Sequence, residues 1–140
     1  MNSGSTFAVH LGGITAVTGY GQVDITGTIS LNSPTLAIDT TGYNPISTAK
    51  YFILVDGSGS AISGTFAGLA NGSPIAFGNF VGTISYTGSF SAGTLAGGHD
   101  VVIYNVASVP EPNGILAAAL VAFGLLHRLR RGARRLRTAL

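Results

Sequence analysis

His99 and Asp100 stand side by side, the nearest the chain comes to a general-base pair. Neighbours on an extended strand point to opposite faces, so the two cannot share one site; they are expected to form a turn entering a strand. Asp56-Gly57-Ser58-Gly59 opens like a calcium loop but lacks the later acidic ligands. The same glycines make no phosphate cradle, because no lysine follows and no helix begins there. The four aspartates of the first 109 residues (Asp24, Asp39, Asp56, Asp100) are 15 to 44 residues apart, without paired-carboxylate spacing. Cysteine is absent, which removes disulfides, thiolate metal sites and cysteine nucleophiles. Asn71-Gly72-Ser73 fits a glycosylation acceptor, yet Asn-Gly is first a tight-turn dipeptide. His10 and His127 are isolated in sequence. No reaction class can be assembled from this inventory, so the chain is expected to be no enzyme, with no catalytic residue, no metal and no cofactor.

The elements that carry these residues read as β. Of 140 residues, 21 are glycine, 46% are hydrophobic and only 9% are charged, which is neither a disordered nor a helical composition. Val23 and Ile25, Ile29 and Leu31, and Leu36 and Ile38 alternate with polar or small residues, as half-buried strands do. Tyr51–Val55 is a continuous apolar run, expected to be a strand buried on both faces. Further strands are expected at Ile75–Phe77, Phe80–Tyr86 and Asp100–Val106. Turns are expected at Pro34, Gly42, Pro45, Gly57, Gly59, Gly72, Gly88 and Gly97-Gly98. The spacing predicts an all-β body, either a β-solenoid end or a β-sandwich of short strands, followed by one C-terminal hydrophobic α-helix.

Charge divides the chain sharply. Residues 1–109 hold one base, Lys50, and four acids, a balance of −3; residues 110–140 hold Glu111 and all six arginines, a balance of +5. Pro110 and Pro112 keep the junction extended. Gly114 to Leu126 is apolar without interruption and on every helical face, which favours lipid over water. Thirteen residues at helical rise give about 20 Å against a hydrocarbon core of about 30 Å. Ile115, Leu116, Leu120, Val121, Phe123, Leu125 and Leu126 together contribute roughly −2 to −4 kcal/mol of insertion free energy. A transmembrane helix over about residues 113–129 is therefore a marginal anchor, lengthened by snorkelling of its basic end. His127 is expected to cap it at the membrane boundary. Arg128, Arg130, Arg131, Arg134, Arg135 and Arg137 form an Arg-rich end over 128–137, which the positive-inside rule leaves in the cytoplasm. The cluster lacks interleaved aromatics, so nucleic acid is not expected as a partner; membrane lipid is.

Val-Pro-Glu-Pro, an apolar helix containing Phe-Gly-Leu-Leu, and a terminal arginine cluster resemble the PEP-CTERM sorting signal of Gram-negative bacteria, also known as the ice-binding protein C-terminal domain motif. The resemblance covers about residues 108–135. It implies export, transient retention in the inner membrane as a single-pass protein, and processing by an exosortase-type enzyme on the way to the cell surface or extracellular matrix. By that resemblance Pro110, Glu111 and Pro112 are recognised by the processing enzyme. The chain then divides into a β-rich exported region, 1–107, and a sorting tail, 108–140. Met1–His10 has neither a basic nor an apolar signal-peptide region, and the chain is expected to be the C-terminal part of a longer protein.

A second resemblance lies upstream. Gly19-Tyr-Gly-Gln-Val-Asp-Ile-Thr-Gly-Thr-Ile-Ser-Leu31, Phe52-Ile-Leu54, Ser63-Gly-Thr-Phe-Ala-Gly-Leu69, Ile84-Ser-Tyr-Thr-Gly88 and Asp100-Val-Val-Ile103 look like the C-terminal end of autotransporter-associated β-strand-repeat proteins, which form long β-helical surface passengers. The expected function is that of a non-enzymatic exported surface or matrix protein. The alternative is a carbohydrate-binding or adhesin module, with exopolysaccharide as a partner and Tyr20, Tyr43, Tyr51, Tyr86 and Tyr104 as candidate stacking platforms. An enzyme whose active site lies in further upstream sequence is the third reading.

Overall fold

Short alternating runs, cut by glycine, asparagine and proline, give nine strands and no helix in the computed structural model, which describes residues 1–110. They are β1 Thr6–His10, β2 Val23–Ile25, β3 Ser30–Asn32, β4 Thr35–Asp39, β5 Tyr51–Asp56, β6 Ser63–Thr65, β7 Pro74–Phe77, β8 Phe80–Gly88 and β9 Asp100–Ser108. Every strand read from alternation is present. All six residues of β5 are buried, as its unbroken apolar run requires. Two strands, β1 and β6, were not expected. Thr-Phe-Ala-Val-His in β1 does alternate, with Phe7 and Val9 turned inward. Ser-Gly-Thr in β6 has no apolar residue and exists through its pairing alone. Gly88, expected in a turn, instead ends β8 opposite Asp100, where a Cβ would press on Val102 and Phe52.

The first six strands form two rungs in parallel register. Thr35 lies 29 residues after its partner Thr6, Leu54 lies 31 after Val23, and Ser63 lies 33 after Ser30. Met1 extends the pattern: its amino group donates to Ser30 O (2.6 Å) and its carbonyl accepts from Asn32 N (3.0 Å), beside Leu31. The last three strands reverse direction. β7 and β8 form a hairpin, β8 pairs antiparallel with β9, and β9 lies antiparallel along β5. The five-stranded sheet therefore runs β2-β5-β9-β8-β7, two strands from the rungs and three from the cap.

One core runs through rungs and cap, built from Val9, Leu11, Ile29, Leu31, Ile53, Phe66, Ile75, Ile84, Ile103 and their neighbours. Three buried tyrosines fasten elements across it. Tyr20 Oη accepts Phe52 N (3.2 Å), Tyr51 Oη accepts Ile46 N (3.2 Å), and Tyr86 Oη accepts Phe66 N (2.9 Å) while donating to Leu69 O (2.8 Å). Burial raises the pKa of all three phenols, because the phenolate would lose its water. Tyr86→Phe strands the Phe66 N–H and the Leu69 carbonyl, and is expected to lower unfolding free energy by about 1–3 kcal/mol. Urea denaturation followed by far-UV circular dichroism measures it, and an unchanged midpoint would contradict the fastening role.

Glycine is obligatory at one rung contact. Gly64 sits opposite Leu31 with φ +79°, and an added Cβ would penetrate the Leu31 carbonyl oxygen. Gly59 has a similar φ of +71° but open space around it. Gly59→Ala should therefore cost only the left-handed backbone strain, about 1–2 kcal/mol. Gly64→Ala adds a backbone collision and should cost roughly 3 kcal/mol or more. Thermal melts of the two variants side by side separate the terms; equal losses would mean that the rung contact is not tight.

Candidate functional site

A surface hollow lies where the β4–β5 loop meets the tip of the β7–β8 hairpin. Asp39 closes β4 and caps the loop: its Oδ1 accepts from Thr41 N (3.0 Å) and from Thr41 Oγ1 (2.6 Å). Such aspartate-led turns are locally encoded. Tyr43 N then donates to Thr40 O (2.9 Å), with Gly42 supplying the positive φ of +80° that the turn needs. Across the hollow, Phe77 and Phe80 pair directly, so Gly78-Asn79 is a two-residue hairpin loop with positive φ at its first position. That arrangement matches the twist of the two strands. Val109 N donates to Asn79 O (2.8 Å), tying the end of the body to the hairpin tip.

Between these two turns is a hollow of about 590 Å³ lined by Ile38 to Asn44 and by Gly78, Asn79 and Phe80. A second hollow of about 400 Å³ adjoins it, sharing Asn44, Asn79 and Phe80 and adding Pro45, Ser108 and Val109. Tyr43 and Phe80 are half-buried and pack against the core, while Asn44, Asn79 and Thr41 are exposed. The lining offers two amides, two threonine hydroxyls, one carboxylate and two aromatic rings.

On the outer face next to this trough, His10 Nδ1 and Asp39 Oδ2 lie 2.9 Å apart, the side chains 54% and 60% exposed. They are register partners of β1 and β4, 29 residues apart in sequence. The order of contacts is histidine, aspartate, threonine. In a nucleophilic triad the imidazole lies between hydroxyl and carboxylate and takes the hydroxyl proton. Here Thr41 donates to the carboxylate directly, so His10 has no hydroxyl to activate through this contact. The Thr41 hydroxyl and N–H, and then His10, hold the Asp39 carboxyl below the usual carboxylate range.

The other residues read from sequence as possible chemistry have structural duties. Asp100 is buried; its Oδ1 accepts Asp56 N (2.8 Å) and its Oδ2 accepts Phe90 N (2.6 Å), so it clamps β5 and the β8–β9 loop to the start of β9. Asp56 Oδ1 accepts Ser58 N (2.8 Å) and Ser58 Oγ (2.6 Å), which makes Asp56–Gly59 a capped turn. Those bonds hold its carboxyl low, while its Oδ2 is buried with no protein partner. Asn71 Oδ1 accepts Tyr86 N (2.9 Å). Among the described residues no three His, Asp or Glu side chains gather closely enough to hold a metal ion. Of the five tyrosines considered as stacking platforms, Tyr20, Tyr51 and Tyr86 are core residues, the default use of strand aromatics, while Tyr43 lines the trough and Tyr104 is half-buried on β9. Pro110 follows Val109 at the end of the described chain, exposed. Glu111, Pro112, the apolar helix and the six arginines lie outside the described residues. Among the described residues no helix is long and apolar enough to cross a membrane.

No protein-family model, no curated protein and no solved structure matches the chain.

Removing the Thr41 hydroxyl tests the electrostatics of the trough. Thr41→Ala is expected to raise the Asp39 pKa toward the ordinary aspartate value of about 3.9. A depressed folded-state pKa contributes stability that is present above the unfolded value and is lost as pH falls through the folded one. Acid destabilisation attributable to Asp39 therefore shrinks in Thr41→Ala. Carboxyl-carbon NMR titration reads the midpoint, and an unshifted Asp39 would overturn the assignment.

Proposed function

We propose that the chain is a non-enzymatic exported surface or extracellular-matrix protein whose C-terminal tail holds it in the inner membrane until an exosortase-type enzyme processes it. The body is a short β-solenoid closed by an antiparallel cap, rather than a β-sandwich. Three successive parallel pairings at 29-, 31- and 33-residue offsets support that reading of the body. The observation that carries the sorting role is the order of the tail: Pro110-Glu111-Pro112, then an apolar stretch to Leu126, then six arginines by Arg137, after a body of balance −3. The apolar stretch is a marginal span, and the arginines keep its end in the cytoplasm. A marginal anchor suits a protein held briefly and then handed on.

The observation favouring saccharide binding as a second reading is the trough, whose lining brings together amides, hydroxyls, aromatic rings and a single carboxylate.

The sorting role is tested with the full chain, exported behind a cleavable signal in Gram-negative cells with and without an exosortase. The expected products are a membrane-bound full-length species without the enzyme and a released species cut near Pro110–Pro112 with it. Glu111→Ala is expected to keep the protein in the membrane fraction. Intact-mass analysis of each fraction decides the matter; an uncut soluble product in both strains would refute the role.

A further inference from the structure

We propose that the trough between the β4–β5 loop and the β7–β8 hairpin tip binds neutral, hydroxyl-rich saccharide, with Asn44 and Asn79 as the hydrogen-bonding pair and Tyr43 and Phe80 as the apolar floor. This gives the saccharide reading a site and a ligand class, and it does not depend on how the tail is sorted. A side-chain amide offers an acceptor and two donors in one plane, which suits adjacent sugar hydroxyls that both give and take hydrogen bonds. The C–H faces of a pyranose ring are apolar and need an aromatic surface beneath them. Both features line the same hollow, and Asn44, Asn79 and Phe80 continue from it into the next. The larger hollow, about 590 Å³, falls within the range of ligand clefts, about 300–1,000 Å³.

Charge selects the sugar class. Asp39 is the one charged residue lining either hollow, and its carboxyl is held ionised by Thr41. No lysine, arginine or histidine lines them. A phosphate, sulfate or uronate would meet a like charge with no basic side chain in the lining, His10 being engaged with Asp39 outside it, whereas a neutral glycan meets only hydrogen-bonding groups. Two adjoining hollows suit consecutive residues of a polymer better than a free monosaccharide.

Affinity electrophoresis of the full chain, in a detergent without a sugar headgroup, tests the site. The probes are dextran, laminarin, xylan and galactomannan, with alginate as the anionic comparator. Retardation by at least one neutral polymer and none by alginate is expected. N44A/N79A should weaken that interaction at least about tenfold, as the loss of two hydrogen bonds implies. Thr28→Ala, an exposed change away from the trough, should leave it unaltered. Circular dichroism checks that the double variant is folded. If it is not, the single variants N44A and N79A, each weakening binding severalfold, carry the test. No retardation by any neutral polymer, equal retardation by alginate, or binding that survives loss of both amides in folded protein would overturn the proposal. Release by exosortase in cells is a separate readout, so the failure of one leaves the other standing.

Discussion

The strand Tyr51–Asp56 is the constraint on which the rest of the body depends. It is the only described strand with a parallel partner on one edge and an antiparallel partner on the other, β2 and β9. Burying all six of its residues removes the apolar run Tyr51–Val55 from water, and both of its faces must then be covered. One face packs in the main core through Tyr51, Ile53 and Leu54, while Phe52 and Val55 join Val102 in a smaller cluster under Leu95 and Tyr104. Its two edges must also be paired, because buried backbone groups without partners are costly. The β2 edge is met by a rung in step with it. The other edge is met by β9, whose reversed direction ends the stacking. Asp100 secures that junction from within, since its carboxylate holds both Asp56 N and Phe90 N.

Much of this was legible in the sequence, and what was not has a physical reason. Alternation at Leu36 and Ile38, or the unbroken run in β5, reports burial through side-chain pattern alone. β6 carries no such signal: Ser63-Gly64-Thr65 is a strand because Leu31 lies opposite, and the glycine is there for close approach. The tyrosines illustrate the same limit. Composition marks Tyr20, Tyr51 and Tyr86 as aromatics with a polar end, but only the fold shows each hydroxyl spent on a backbone N–H. The trough was the least legible feature. Gly42 and Pro45 mark a turn and Gly78-Asn79 only a gap between two expected strands, yet these segments, about 35 residues apart in sequence, meet because the hairpin folds back beside β4. His10 and Asp39 are joined by rung spacing, which a local motif does not reveal.

Body and tail divide the chemistry between them. The body keeps nearly all its polarity in hydroxyls, amides and backbone groups, with Lys50 its one lysine, donating to Gly93 O. Such a surface exerts little long-range attraction on a charged membrane or nucleic acid. The six arginines of residues 110–140 concentrate the opposite chemistry, net positive charge, in a short segment. Under the proposed sorting role, a body of balance −3 is not drawn to the headgroups that would hold the tail.

The position of the trough within the stack has an evolutionary consequence. Its walls come from β4, the loop after it and the cap, and none comes from β1, β2 or β3. Stacked repeats contact mainly their immediate neighbours, so duplication or loss of a whole repeat perturbs little beyond the junction it enters. Units of about thirty residues could therefore be gained or lost ahead of the second rung while the trough at the C-terminal end of the body stayed intact. The length of the stack and the lining of the trough would then change by different genetic events: the one by gain or loss of repeats, the other by point substitution in two turns.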